Sequence, residues 1–426
     1  MISPRKTALY ALPMVLAPPM ATIGQFGITL TELLVVAAGF VILALAARPW
    51  QGTPVFMIVF LLLFCLGWIG SLYNAWDWQI PVSAGNLVFL YTPLLALLGF
   101  IVGRRSDRSL NQIVDSRYAR IIIIGVAIFA AAYPFLSPGT RQLIMTPFIN
   151  ELFYSRLASP RFPGIGINAN VYSFMVWVFF VFSLDSYLKG KAPALIPFAA
   201  MTIIVAAAGR TITVLMLASL LVLLIAAARR SGRVAIDRMR AMTRRRALGL
   251  GGLVLLLVIA AVVYGAQARD AFTLYVRFQD MFSDSEYGGL RTRTDVWAIG
   301  MERLELSPIL GIPRDPGRVD DTNPLYFYTP HNEFIYFWTT FGLLGLLAHV
   351  YLISRMILAN LRMKAALPWL MLYGGMILQM MFDSVFGGPR ATAFFFMVIG
   401  LNVKYLTELR AARVEPPHPV LKPALV

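Results

Sequence analysis

Charge is scarce in this chain. Only 14% of its 426 residues are Asp, Glu, Lys or Arg, whereas a soluble domain carries roughly 25%. Three histidines and one cysteine are present, so no internal disulfide forms and no Cys/His zinc cluster can be assembled. Cys65 lies within an apolar run, where it reads as a small packing residue. No Gly-rich phosphate loop ending in Gly-Lys-Ser/Thr occurs, which leaves an ATP-driven mechanism without support. Lysine is rarer than arginine, and no internal repeat is visible.

What fills the chain instead is apolar: 58% of its residues, with a mean hydropathy of +0.71. The apolar residues come in runs about as long as a helix needs to cross a hydrocarbon core of roughly 30 Å. Twelve such runs are expected to be spans, near 7–24, 27–47, 54–72, 86–103, 119–138, 167–188, 192–208, 211–228, 247–267, 333–354, 365–382 and 391–409. The one at 192–208 is short enough to be re-entrant. The basic start (Arg5, Lys6) with the apolar stretch behind it resembles a signal peptide, but Pro13, Pro18 and Pro19 and the immediate next span favour a retained, kinked first span. The expectation is an all-α polytopic membrane protein, residues 1–426 forming one integral membrane domain.

The net charge of +16 invites a nucleic-acid reading, and its distribution argues against one. With the N-terminus inside and the spans alternating, about two thirds of the 37 basic residues fall on the cytoplasmic side. These include the cluster Arg104–Arg120 and the run Arg229–Arg246. The positive-inside bias and attraction to anionic membrane lipids explain that charge. Both termini are then cytoplasmic. All lysines fall inside, and every basic residue outside is an arginine, whose planar fork binds two phosphate oxygens at once.

Residues 268–332 stand apart as an external, periplasmic loop. They are polar, mixed in charge, and rich in Gly, Pro, Tyr and Asp. One helix-compatible stretch reads ARDAFTLYVRFQDMF, and a second reads RTRTDVWAIGMERLELSPILG after a Gly-bearing break. In the second, Arg293 and Trp297 are four apart and share a helix face. The loop ends in TPHNEFIYFWTTFGLLGLL, with His331 at the mouth of the tenth span.

The pattern His331-Asn332, nine residues, then Gly342-Leu343-Leu344-Gly345 resembles the signature of the O-antigen ligase and polymerase superfamily. RTDVW followed by SPILGIP is similar to that family's loop, an Arg and a Trp with three residues between them and then a Pro-x-x-Gly turn. RFPGIGINANVYSF resembles its Arg-x-x-Gly segment leading to an Asn and a new span, with Asn168-Ala169-Asn170 where the family often has Asp-Pro-Asn or Asn-Pro-Asn. AAGRTITVLML resembles its short outer turn bearing an Arg. The resemblance implies a C-type membrane glycosyltransferase-like architecture of about 12 transmembrane helices, with a helical periplasmic loop before the tenth. It implies a glycan donor on undecaprenyl pyrophosphate, with lipid A core or another glycan as acceptor. No cofactor, metal or nucleotide sugar is implied.

Such a donor needs charge balanced on the departing pyrophosphate and a proton taken from the acceptor hydroxyl. Arg161, Arg210, Arg291 and Arg293 lie on the expected outer face and suit the first task. Salt bridges within the loop are the alternative for them, and a membrane anchor is the rival for Arg210. His331 suits the second task as general base, or it orients the donor. Asn332 could fix the imidazole or contact sugar. Trp297, Tyr326 and Tyr328 could stack on sugar rings or pack the loop on the bundle. Gly342 and Gly345 suit close helix packing. His349 falls inside a span and reads as packed or hydrogen-bonded in the bundle; His418 in the tail has no motif.

Ligase and polymerase share the signature, and its spacing favours ligase slightly. A transporter or flippase of the same lipid-linked glycan is the reading from another class. It should carry charges inside its spans, where this chain has few, such as Glu32 and Asp185.

Overall fold

The computed structural model describes residues 53–78, 91–145, 162, 169–207, 209–230, 290–313, 331–383, 385–386 and 389–414, with 22–23 and 28–29. Two two-residue strands, β1 (Thr22–Ile23) and β2 (Ile28–Thr29), pair antiparallel. The helices follow as α1 (Val55–Asp77), α2 (Tyr91–Arg104), α3 (Leu110–Val114), α4 (Arg117–Ala132), α5 (Pro138–Met145) and α6 (Ala169–Leu188). Next come α7 (Leu195–Ala206), α8 (Arg210–Arg230), α9 (Leu290–Leu306), α10 (Glu333–Arg362), α11 (Leu367–Phe382) and α12 (Pro389–Val414).

The fold is all-α, apart from the two-residue β1–β2 pair. The expected count of about twelve transmembrane helices needs correction. Among the described residues six helices are long and apolar enough to cross a membrane: Val55–Asp77, Arg117–Phe135, Ala169–Leu188, Arg210–Ala227, Glu333–Arg362 and Arg390–Arg413. Three expected spans fold as shorter apolar helices, α2, α7 and α11, of 14, 12 and 16 residues. At 1.5 Å per residue the shortest is about 18 Å long, well under the roughly 30 Å hydrocarbon thickness. An apolar run reports solubility in lipid; it does not report how much of the run is helix. The expected spans at 7–24, 27–47 and 247–267 lie outside the described residues, apart from the two strands.

The burial pattern is that of a bundle in lipid. α6 is apolar nearly all round, and 94% of its apolar window is buried, as expected of a helix with neighbours on every side. Phe174, Trp177, Phe179 and Phe182 fill its surroundings. α1 behaves differently. Ile58, Leu62, Ile69 and Tyr73 are exposed at helical spacing, an apolar stripe that water would not tolerate and acyl chains accept. The protein is a polytopic membrane protein. Asp185, the charge expected alone in a span, is an ion-pair partner of Lys189 one turn on.

Two helix pairs approach unusually closely. α2 meets α12 where Gly99, Gly103 and Gly400 leave room for the facing backbone, and α1 meets α10 at Gly67 and Gly345. Small residues let helix backbones approach in this way, so Gly345 acts as the sequence suggests. At the end away from residue 333, Asn360 and Asn402 hydrogen-bond each other and Tyr373 donates to Asn402, which fixes α10, α11 and α12 together.

Candidate functional site

The loop helix α9 is fastened to the bundle through a turn. After Leu306 the chain forms the SPILGIP segment, and this segment docks into a break in α10. The break is at Gly342, whose φ of 66° and ψ of −170° are non-helical. Only glycine adopts this region without large strain. The peptide groups freed by the break are paired with the turn: Leu343 N–H donates to the Ile309 carbonyl at 3.0 Å, and Ile312 N–H donates to the Thr339 carbonyl at 2.7 Å. Gly311 has a φ of 75°, and a Cβ on it would collide with Gly342 N. Side chains finish the joint. Asn74 of α1 donates to the Gly311 carbonyl at 2.7 Å, Trp338 to the Pro308 carbonyl at 2.9 Å, and buried Arg303 to the Ile312 carbonyl at 2.8 Å. The Pro-x-x-Gly turn and the Gly-x-x-Gly motif are thus two halves of one contact.

Trp297 is half-buried and lies over Phe382 at the end of α11, ring centroids 6.2 Å apart. Its indole N–H is buried without an acceptor among the described residues. In this structure Trp297 packs the loop on the bundle. Arg291 and Arg293 lie in the first turn of α9, with Arg293 one turn before Trp297; their side chains lie outside the described residues. Arg161, Tyr326, Tyr328, His418 and the ARDAFTLYVRFQDMF stretch also lie outside them.

His331 and Asn332 enter α10. Asn332 is its N-cap, and its side-chain oxygen accepts from Phe334 N–H at 3.1 Å and Ile335 N–H at 3.2 Å. The capping role therefore belongs to Asn332. His331 stands one residue outside the helix, exposed, with a φ of 47°. That left-handed conformation is uncommon for a residue with a Cβ, histidine being among those that adopt it more often. His349 is buried, stacked on Phe337 at 3.5 Å between ring centroids, and donates from Nδ1 to the Gly345 carbonyl at 2.9 Å. It is a packing residue of the bundle.

The structure adds residues that sequence reasoning missed. Glu333, only 3% exposed, accepts backbone N–H groups from Val385 at 2.7 Å and Phe386 at 2.8 Å. Both donors lie between α11 and α12. In the same segment Asp383 is buried and accepts a hydrogen bond from Asn170 at the start of α6. Asn170 and Ser173 in turn lie beside Gly209, which precedes Arg210, the half-buried first residue of α8. Arg390, in the first turn of α12, is also buried. The signals were present, an acidic residue directly after His331-Asn332 and the polar run DSVFGGPR between two apolar stretches. An acidic residue beside a span ordinarily reads as a boundary marker.

These links bring the N-termini of α6, α8, α10 and α12 and the C-terminus of α11 to one end of the bundle. Helix N-termini carry partial positive charge, and Arg210 adds a full one. Among the described residues no three His, Cys, Asp or Glu side chains group as metal ligands.

The described residues thus form a membrane-protein bundle with a polar, cation-bearing end and the helix α9 docked on it. A family model described as O-Antigen ligase matches residues 194–350, from α7 to the middle of α10. Over that stretch, somewhat more than a third of its length, the chain is similar to the O-antigen ligase family. The matched stretch contains Arg210, the α9 turn, His331 and both motif glycines. No curated protein matches the chain.

Proposed function

We propose that the protein transfers a glycan from undecaprenyl pyrophosphate to an acceptor hydroxyl at the periplasmic end of the bundle, as a ligase with lipid A core as acceptor. The observation that carries this reading is the convergence of the His331 turn, Arg210 and four helix N-termini at one end. The acceptor oxygen bonds to the sugar C1 while its proton passes to the His331 imidazole. The bond from C1 to the pyrophosphate oxygen breaks, and undecaprenyl pyrophosphate leaves with the electron pair. Arg161, Arg210, Arg291 and Arg293 meet its charge, so no metal is required. Asn332 supports His331 by capping α10, and Trp297 supports the site by seating α9. The loop 268–332 is periplasmic, both termini are cytoplasmic, and the chain is one integral membrane domain. The distribution of lysine and arginine supports that orientation.

Deletion of the gene followed by analysis of surface glycans tests the reading. Full-length polymer stranded on the lipid carrier is expected. Single repeat units on the normal acceptor would instead mean a polymerase that joins lipid-linked units, the second activity consistent with the shared signature. Normal glycans would remove both.

The arginines make a separate prediction. Arg210→Lys and Arg293→Lys keep the charge but lose the fork that matches two phosphate oxygens. Each should weaken donor binding by on the order of 1.5–3 kcal/mol, as for a lost hydrogen bond to a charged group. Direct binding of lipid-linked donor to purified protein measures this. If Arg161, Arg210 and Arg293 all become lysine without loss, they are loop and interface charges only.

A further inference from the structure

His331 carries a backbone conformation that a residue with a Cβ rarely adopts, at a φ of 47°. A residue stays in such a region only where its surroundings determine it. On its C-terminal side the helix cap of Asn332 fixes the chain direction. The next residue, Glu333, hydrogen-bonds a distant part of the chain, spanning 52 and 53 residues. Each carboxylate oxygen accepts one backbone N–H, from Val385 and from Phe386, at 2.7 and 2.8 Å. The same segment is anchored on its other side by Asp383, which accepts from Asn170 at the start of α6. The entry of α10 is therefore tied to the α11–α12 segment, and through it to α6.

We propose that Glu333 is a positioning residue for His331: its buried carboxylate, by accepting the Val385 and Phe386 N–H groups, holds the entry turn of α10 against the α11–α12 segment and so sets where the imidazole is presented. This rests on the reading of His331 as the proton acceptor. Glu333 itself is not that acceptor. It is 3% exposed and both of its oxygens already receive hydrogen bonds. A carboxylate suits the task better than an amide. It offers two acceptor oxygens and no donor, so it can face two N–H groups at once. Its negative charge in the first turn also complements the helix dipole.

Glu333→Gln tests the proposal with little change in volume. The amide keeps one acceptor oxygen and turns an NH2 group toward the second backbone N–H. Glu333→Ala removes both acceptors. Misplacing a catalytic group by about 1 Å can lower turnover by about 10²-fold. Kinetics with lipid-linked donor should show kcat reduced by about 10-fold in Glu333→Gln and about 10²-fold in Glu333→Ala, with the KM for donor unchanged. A second measurement does not depend on transfer. The rate at which diethyl pyrocarbonate modifies His331, followed by mass spectrometry with His418 as the internal reference, should change severalfold in Glu333→Gln. Unchanged modification of His331 would overturn the proposal, whether or not the wild-type protein transfers glycan. A lowered donor affinity with kcat intact would also overturn it, by making Glu333 a donor-binding group. Absence of transfer by the wild type, with His331 modification still sensitive to Glu333→Gln, would refute the proposed activity and retain the positioning role.

Discussion

Replacing His331 with alanine should leave a protein that inserts, folds and binds lipid-linked donor, yet turns it over about 10²–10⁴-fold more slowly, the usual contribution of general-base catalysis. Folding should survive because the side chain is exposed and stands one residue outside α10. The helix start is secured by Asn332 and Glu333, neither of which is altered. Alanine does share the burden of the positive φ at 331. His331→Asn separates the two effects, since asparagine tolerates the left-handed region but cannot act as the base. If the backbone alone mattered, His331→Asn would restore turnover. If the imidazole is the proton acceptor, both variants should be equally slow. Single-turnover kinetics alongside donor binding decides the matter. Loss of donor binding with unimpaired turnover of whatever donor is bound would make the histidine a binding residue.

Gly342→Ala should be the most damaging substitution outside the chemistry. Its φ of 66° and ψ of −170° belong to a region essentially reserved for glycine. A Cβ there would also collide with the Ile309 carbonyl oxygen and the Leu310 backbone, rigid atoms held by the hydrogen bond from Leu343. Backbone strain of roughly 1–3 kcal/mol and overpacking of similar size together suggest a loss on the order of 2–6 kcal/mol. Thermal unfolding in detergent measures it. Proteolysis of the 290–313 segment reports whether the loss is local undocking of α9. Gly374→Ala is the matched control, because a Cβ at that helical position meets nothing within 4 Å. A Gly342→Ala protein as stable as the control would show that the SPILGIP turn does not depend on the break in α10.

The sequence disclosed where apolar helices lie more faithfully than how far they extend. α4, α6 and α8 start within two residues of the expected boundaries, because hydropathy and the flanking polar residues change together there. α10 starts at the expected residue but continues to Arg362, since Leu358 and Leu361 lie beyond the most apolar stretch and still continue the helix. The same method overcounted spans at α2, α7 and α11, whose described helices run to 14, 12 and 16 residues. At the site, the motif identified Gly342 without its partner. The contact joins backbone atoms of residues about thirty positions apart, and no side-chain pattern encodes such a pairing. Glu333, Asp383 and Arg390 escaped notice for a related reason. Their burial is created by segments that meet only when the bundle closes, so next to a span each looks like an ordinary surface charge.

The joint between the SPILGIP turn and α10 is made chiefly of peptide groups and two glycines. Peptide groups are the same whatever side chains surround them. The helix α9 is therefore mounted on an adaptor that reads little of its sequence beyond Trp297, which rests on Phe382, and Arg303 near its end. The other positions of 290–302 are expected to be exchangeable as a cassette, with Arg291, Arg293, Trp297 and 303–313 retained. Diversity in what is recognised at this surface could arise by replacing that cassette while the intramembrane frame stays constant.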